Sequence, residues 1–423
     1  MDAAISSFLY QRFGSRQYWP ELARQLRGWP PVCMSQPPEV VSDQEAEFRQ
    51  SSDWQYSLAP FLSAVKEVAE LRVMTKKIAD GNELAKRVDN TLGKEAAELL
   101  KKSAVADDLV WFSQQLLSVS SPQQIVEEAH WIKDPQTHLF SLSIGPELQW
   151  LLTISRCLGL IKLETLRHLR QTKVRVLGAS VAASAADLLA SLGCEDISCV
   201  DPGLIELSNL PRLPMAQVQN VGCPKSAALV QHLLRRHPYG KFRAVVGQAV
   251  PNLTERGIAD VTIDQFLADA DVILEVTDDI QTKTYVQTVA LQKKSGTPLL
   301  FIADLGVEPV VKVVRTDKDG KVSRPFGRSW TATERRVLDA AVIDSTKAAP
   351  AAYLMVKEDL PNEQALQFLL SCVGVMPFWS QTPVASRQSS ALAALAILEE
   401  LGGCTPQIPG GIKEILPKLL QLE

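Results

Sequence analysis

No apolar run in this 423-residue chain approaches the ~18 residues a membrane-crossing helix needs. The longest, Ala391 to Leu398, is far too short. Met1 to Pro30 carries Arg, Gln and Trp and has no apolar h-region, so no secretory signal is read there. A cytoplasmic protein without membrane partners is the expectation. An excess of positive charge is missing too. The formal net charge is −4, and the basic pairs Lys101-Lys102, Arg235-Arg236 and Arg335-Arg336 are short. Each fits a solvated helix face, so nucleic acid is not an expected partner. Cys-x-x-Cys never occurs among the seven cysteines, which excludes a structural zinc knuckle and suggests reduced, buried thiols. His130, His138 and His168 show no metal-ligand spacing. Trp54, Trp111, Trp131 and Trp150 read as core rather than as a ligand platform.

Glycine is scarce at one telling place. Residues 173–201, KVRVLGASVAASAADLLASLGCEDISCVD, run from an apolar strand through a small-residue turn and a helix into a second strand that ends on an acid. A dinucleotide fingerprint has three glycines in that turn. This one has Gly178, with Ser180 and Ala183 at the other two places. The helix N-terminus would still point its partial positive charge at the turn. The Ser180 hydroxyl offers a donor to a phosphate. Asp201, at the end of the second strand, is placed to accept hydrogen bonds from ribose hydroxyls. Alone, the segment fits either a nucleotide site or a plain βαβ unit.

The surrounding pattern sets the fold class. Short apolar runs at Val174–Leu177, Ile197–Val200, Phe242–Val246, Val272–Val276 and Pro298–Ile302 alternate with helices near Ala182–Ser191, Lys225–Arg236 and Gln281–Lys294. This predicts an α/β domain, a doubly wound and mostly parallel sheet, over residues 151–423. A strand pair joined by DKDG is expected within 308–326, and a tail helix over 387–401 closed by Gly402-Gly403. Residues 1–150 read as an α-rich N-terminal region. A Pro-rich stretch at 28–43 is followed by helical patterns over 58–81, ending on Gly81, over 93–119 and over 120–129.

Three later blocks, DPGLIELSNLPRL (201–213), VGCPKSAALVQHLLRRHP (221–238) and ADVILEVTDDIQTK (270–283), follow the turn in order. With SRCLGLIKLETLRHLRQTKVRVLG (155–178) they resemble the ThiF/MoeB/HesA superfamily of ubiquitin-activating-enzyme-like adenylating proteins. The resemblance covers about residues 155–305. It implies a Rossmann-like fold, ATP and Mg²⁺ as cofactors, and adenylation of a carboxylate. It also implies roles for individual positions. Asp201 would hold the ribose, Asn209 and Arg212 would reach the triphosphate, Lys225 would contact phosphate, and Asp278 would bind Mg²⁺. Arg156 matches an arginine that reaches the neighbour's ATP site in family dimers, which implies a homodimer. The chemistry suits these residue types. A carboxylate attacking the α-phosphorus of ATP brings two anions together, so Arg and Lys must neutralise the developing charge.

The chain departs from the family pattern at several points. Gly203 replaces a second acid, Asp279 an Asn, Glu275 an Asp, and Pro211 a Gln. No cysteine lies between Cys223 and Cys372, and Cys372 sits in an apolar setting. A thioester step is therefore not expected. The reading is ATP- and Mg²⁺-dependent adenylation of a protein or peptide C-terminus or a small acid, with residues 1–150 as a substrate or partner clamp. One competing reading is a retired binding or scaffold protein on the same fold. Another is a nicotinamide-dependent oxidoreductase, in which Asn209, Arg212 and Lys225 would have no role. Taken singly, Arg212 and Lys225 could be ordinary surface cations, Asn209 a turn residue, and Asp278 the N-cap of the helix after it.

Overall fold

The computed structural model describes residues 39–41, 55–57, 59–134, 139–250, 261–292, 297–303, 309–314, 331–343, 354 and 381–403. In the N-terminal region, helices span Ala59–Thr75, Gly81–Leu92, Lys94–Lys101, Ala104–Val119 and Pro122–Glu127. The first stops six residues short of Gly81. Asp80 is the reason: its side chain accepts from the Asn82 N–H at 2.7 Å and the Glu83 N–H at 3.4 Å, capping a new helix that Gly81 opens. Beside the helices lies a four-stranded sheet absent from the pattern reading. Its strands β1 (Glu39–Val41), β2 (Gln55–Ser57), β3 (His130–Asp134) and β4 (Leu139–Ser143) run in the order β1-β3-β4-β2. Such short strands carry too little alternation to be seen. Trp150 is buried in the core of this region, as expected; Trp54 and His138 lie outside the described residues.

The larger sheet has six strands. In chain order they are β5 (Lys173–Leu177), β6 (Asp196–Val200) and β7 (Arg243–Val245), then, after the small pair β8 (Ala249–Val250) and β9 (Val261–Thr262), β10 (Val272–Glu275), β11 (Leu299–Ala303) and β12 (Val310–Val314). The order across the sheet is β12-β11-β10-β5-β6-β7. All neighbours are parallel except β11 and β12. The parallel part is thus the Rossmann-like arrangement, with its direction of winding reversing between β5 and β10. Strand side chains alternate between two cores. Val174, Val176, Ile197, Cys199, Val272 and Leu274 face the helices Val181–Ser191, Lys225–Arg236 and Pro383–Leu401. Leu177, Val200, Ile273, Leu299 and Phe301 face Ile263–Leu267 and Ile280–Gln292. Burial on both faces is why these strands read as continuous apolar runs.

The tail helix is longer than expected and begins at Pro383 under a Thr382 cap. Gly402 and Gly403 close it with φ of +145° and +89°. β12 is the first strand of the expected pair; the DKDG turn and the return strand lie outside the described residues. Cys157, Cys194 and Cys199 are free thiols, but Cys223 is disulfide-bonded. That corrects the expectation of uniformly reduced cysteines, because linear spacing says nothing about which sulfurs meet in space. Among the described residues no helix is long and apolar enough to cross a membrane.

Candidate active site

The carboxyl ends of β5 and β10 meet at the point where the sheet reverses its winding. Gly178 leaves β5 with φ +93° and its N–H bonded to the Val200 carbonyl at 2.9 Å. A Cβ there would lie 2.8 Å from Val276 Cγ2 and 3.3–3.4 Å from the Val276–Thr277 backbone. The one glycine kept in the turn is therefore the one that the neighbouring strand requires. Ser180 precedes the helix Val181–Ser191, which has no side-chain N-cap. Its first amides are left for an anion. Ala183 is fully buried, so helix and sheet are close at the third fingerprint position without a glycine.

Asp201 is buried and its two oxygens are engaged. Oδ2 accepts from the Ala179 N–H and Oδ1 from the Gly203 N–H, both at 2.6 Å. A carboxylate has about four acceptor positions, so capacity for hydroxyl donors remains. Gly203 explains its own departure from the family pattern. A Cβ there would sit 2.9 Å from Asp201 Oδ1 and 3.3 Å from Lys225 Nζ, so the missing side chain lets Lys225 lie beside Asp201. Lys225 opens the helix Lys225–Arg236, and its N–H donates to the Gly203 carbonyl at 2.9 Å. Arg212 Nη1 donates to Ser180 Oγ at 2.9 Å, so this cation is at the turn. Accepting that bond leaves the Ser180 hydroxyl proton available. Asn209 is buried and closes a 3₁₀ turn, its Oδ1 accepting from the Glu206 N–H at 3.1 Å. It thereby orients the segment that carries Arg212.

Asp278 is exposed on the loop after β10. The capping role weighed for it belongs to Asp279, whose side chain accepts from the Thr282 N–H at 2.7 Å and the Gln281 N–H at 3.4 Å. The loop is anchored from below by Glu275, a fully buried residue whose family counterpart is an Asp and to which the sequence pattern gave no role. Glu275 accepts from Lys283 Nζ at 2.5 Å, the Thr277 N–H at 2.8 Å and the Thr277 hydroxyl. Burial pushes its carboxyl up, while Lys283 and Thr277 pull it down. The signal was present as an acid and a lysine eight residues apart across a strand–helix turn, but only the fold shows that they touch. Arg156 is exposed, and no hydrogen bond or ion pair ties it to the turn. Six residues later, Lys162 bonds the Gly402 carbonyl at the far end of the helix Pro383–Leu401. Near the middle of that helix Ser390 bonds the Val181 carbonyl, roughly 18 Å away along the axis.

Seven of the eight residues singled out thus lie around one turn or on the segments that frame it. The described residues hold no cluster of three or more His, Cys, Asp or Glu side chains that could bind a metal ion. Mg²⁺ does not require one. It keeps several waters and takes one or two carboxylates plus substrate phosphates, which suits the exposed Asp278.

Residues 154–376 match the ThiF family. The chain is 27% identical over 189 residues to the uncharacterized protein MT1398 of Mycobacterium tuberculosis, covering 44% of this chain and 25% of that one. It is 31% identical over 147 residues to the adenylyltransferase and sulfurtransferase uba4 of Emericella nidulans, covering 34% and 28%. The chain therefore spans about a quarter of the length of these relatives. Among solved structures, the E. coli tRNA N6-threonylcarbamoyladenosine dehydratase TcdA aligns at 13% identity with a TM-score of 0.42, covering 60% of this chain and 95% of that one.

Proposed function

With more than half of its length matched by that family, the protein belongs to the ThiF family, and from this premise we propose that it adenylates a carboxylate with ATP and Mg²⁺. The observation that carries the reading is Arg212 on Ser180 at the uncapped helix end, with Asp201 bonded to the Ala179 N–H and Lys225 beside Gly203. In this reading the uncapped amides and Ser180 receive phosphate, and Asp201 orients the ribose. Arg212 and Lys225 offset the charge that builds as the substrate carboxylate attacks the α-phosphorus and pyrophosphate leaves. Asp278 and water hold magnesium, which supplies further charge neutralisation on the phosphates when bound. No protein base is needed, because the attacking carboxylate is already ionised. Catalysis is then positioning plus electrostatics.

The substrate in this reading is a protein or peptide C-terminus or a small acid. The thiols support a cycle without a thioester on a described cysteine: burial pushes Cys194 up to about 12 and Cys199 well above its usual value. The exposed Arg156, with no bond to its own turn, supports a homodimer in which it serves the neighbour. The N-terminal region is a partner-binding region at the far end of the sheet, where Asp134 pairs with Arg235.

The test is pyrophosphate release from ATP and Mg²⁺ with candidate acids. Arg212→Ala and Asp278→Ala are each expected to slow it about 100-fold or more. Failure of the wild-type protein to bind ATP in calorimetry ends the proposal. One observation favours a second reading. Both Asp201 oxygens bind backbone amides, as they would in a fold kept for scaffolding after turnover was lost. ATP binding without pyrophosphate release for any acid would support that reading instead.

A further inference from the structure

Beneath the exposed Asp278 lies a largely buried ion pair. Glu275 is entirely buried and the Lys283 side chain is 15% exposed. Their contact of 2.5 Å joins the end of β10 to the first turns of the next helix. Lys283 also lies over the Phe301 ring, 5.5 Å from its centroid, which fixes the ammonium against β11. Glu275 also accepts from Thr277, through both N–H and hydroxyl. Thr277 is the residue before Asp278, and its backbone N lies 3.4 Å from where a Gly178 Cβ would be. On the far side, Asp279 is committed to capping the helix. The loop is thus held on both sides of Asp278, leaving that carboxylate alone directed to solvent beside the nucleotide turn.

We propose that the Glu275–Lys283 pair is a positioning device that, through Thr277, sets the Asp278 carboxylate for a Mg²⁺–nucleotide complex. This rests on the adenylation reading above. A pair kept only for stability can be replaced by apolar side chains of similar volume at little or no cost, whereas loss of one partner leaves a buried charge. The two roles therefore separate in the double variant Glu275→Met/Lys283→Met, which removes both charges at once. Lys283→Arg keeps the charge and serves as the conservative control.

The readout is ATP affinity by calorimetry as a function of Mg²⁺ concentration, with hydrogen exchange at the 276–279 amides alongside it. The double variant is expected to fold, to keep its Mg²⁺-free ATP affinity within about twofold, and to need roughly 10- to 100-fold more Mg²⁺ for the same enhancement. Lys283→Arg is expected to recover most of that loss. Exchange at 276–279 should quicken in the double variant and return toward the wild-type rate in Lys283→Arg. An unchanged Mg²⁺ requirement in a folded double variant overturns the inference while leaving the adenylation reading standing. If the wild type binds no ATP, the adenylation reading falls. Unaltered exchange at 276–279 then removes the positioning claim as well.

Discussion

Gly178 is the residue on which the site's geometry turns. Its positive φ excludes a side chain, and so does Val276 Cγ2, which would lie 2.8 Å from any Cβ at this position. Gly178→Ala is expected to destabilise the protein by about 1–3 kcal/mol, because left-handed backbone strain and the clash add. Urea denaturation measures that loss. ATP affinity should fall in the same variant, since relief comes only by parting β5 from β10. Ser180→Gly is the contrasting change. It removes one partner of Arg212 without demanding new space, and stability should shift little. The other glycine with a specific task is Gly203, where a side chain would meet both Asp201 and Lys225.

At the scale of elements, the adjacent acids at 278 and 279 have different tasks, and mutation should separate them. Asp279 caps the helix Ile280–Gln292 through two backbone N–H groups. Asp279→Ala should cost about 1 kcal/mol in a denaturation experiment. Asp278→Ala, at an exposed position, should change stability by less than about 0.5 kcal/mol while weakening the Mg²⁺ effect on ATP binding. Equal stability losses in the two variants would contradict this division. The same scale explains the N-terminal helices. Hydrophobic spacing located most of them but missed Gly81–Leu92, whose start is decided by the Asp80 cap, which periodicity cannot register.

Across the whole molecule, the N-terminal region and the ThiF-type domain join at the end of the helix Lys225–Arg236 remote from Lys225. Tyr239 donates to the Ile144 carbonyl at 2.6 Å, Gln149 to the Arg236 carbonyl at 3.4 Å, and Arg235 pairs with Asp134 at 3.1 Å. His237 lies in this junction with Nε2 buried and unpartnered. Burial first, then the charge of Arg236, lower its pKa from 6.5 to about 4. The unfolded chain therefore binds this proton more tightly than the folded one. The stabilisation is complete above about pH 6.5 and is lost as the pH falls toward 4. Between pH 7 and pH 5 the loss from this one group should be about 2 kcal/mol. Urea midpoints at the two pH values, for wild type and His237→Phe, isolate it: the variant should show the smaller drop.

Much was legible in the chain itself. The apolar runs marked all five parallel strands; four of them are buried on both faces, while the edge strand Arg243–Val245 is largely exposed, and the helix Lys225–Arg236 showed in its amphipathic spacing. Asp201 stood out as an acid ending the second strand, and Asn209, Arg212, Lys225 and Asp278 because their blocks resemble the ThiF/MoeB/HesA superfamily. What required the tertiary structure was each polar contact and close approach between separate segments: Arg212 on Ser180, Asp201 holding Ala179, Gly178 against Val276, and Glu275 on Lys283. Periodicity reports which face of an element avoids water. It does not report which polar groups meet once those faces are packed, since hydrogen bonds and ion pairs depend on distances that only the folded sheet sets. The four-stranded N-terminal sheet and the Cys223 disulfide escaped notice for the same reason: strand partners and sulfur partners are chosen in space, not along the chain.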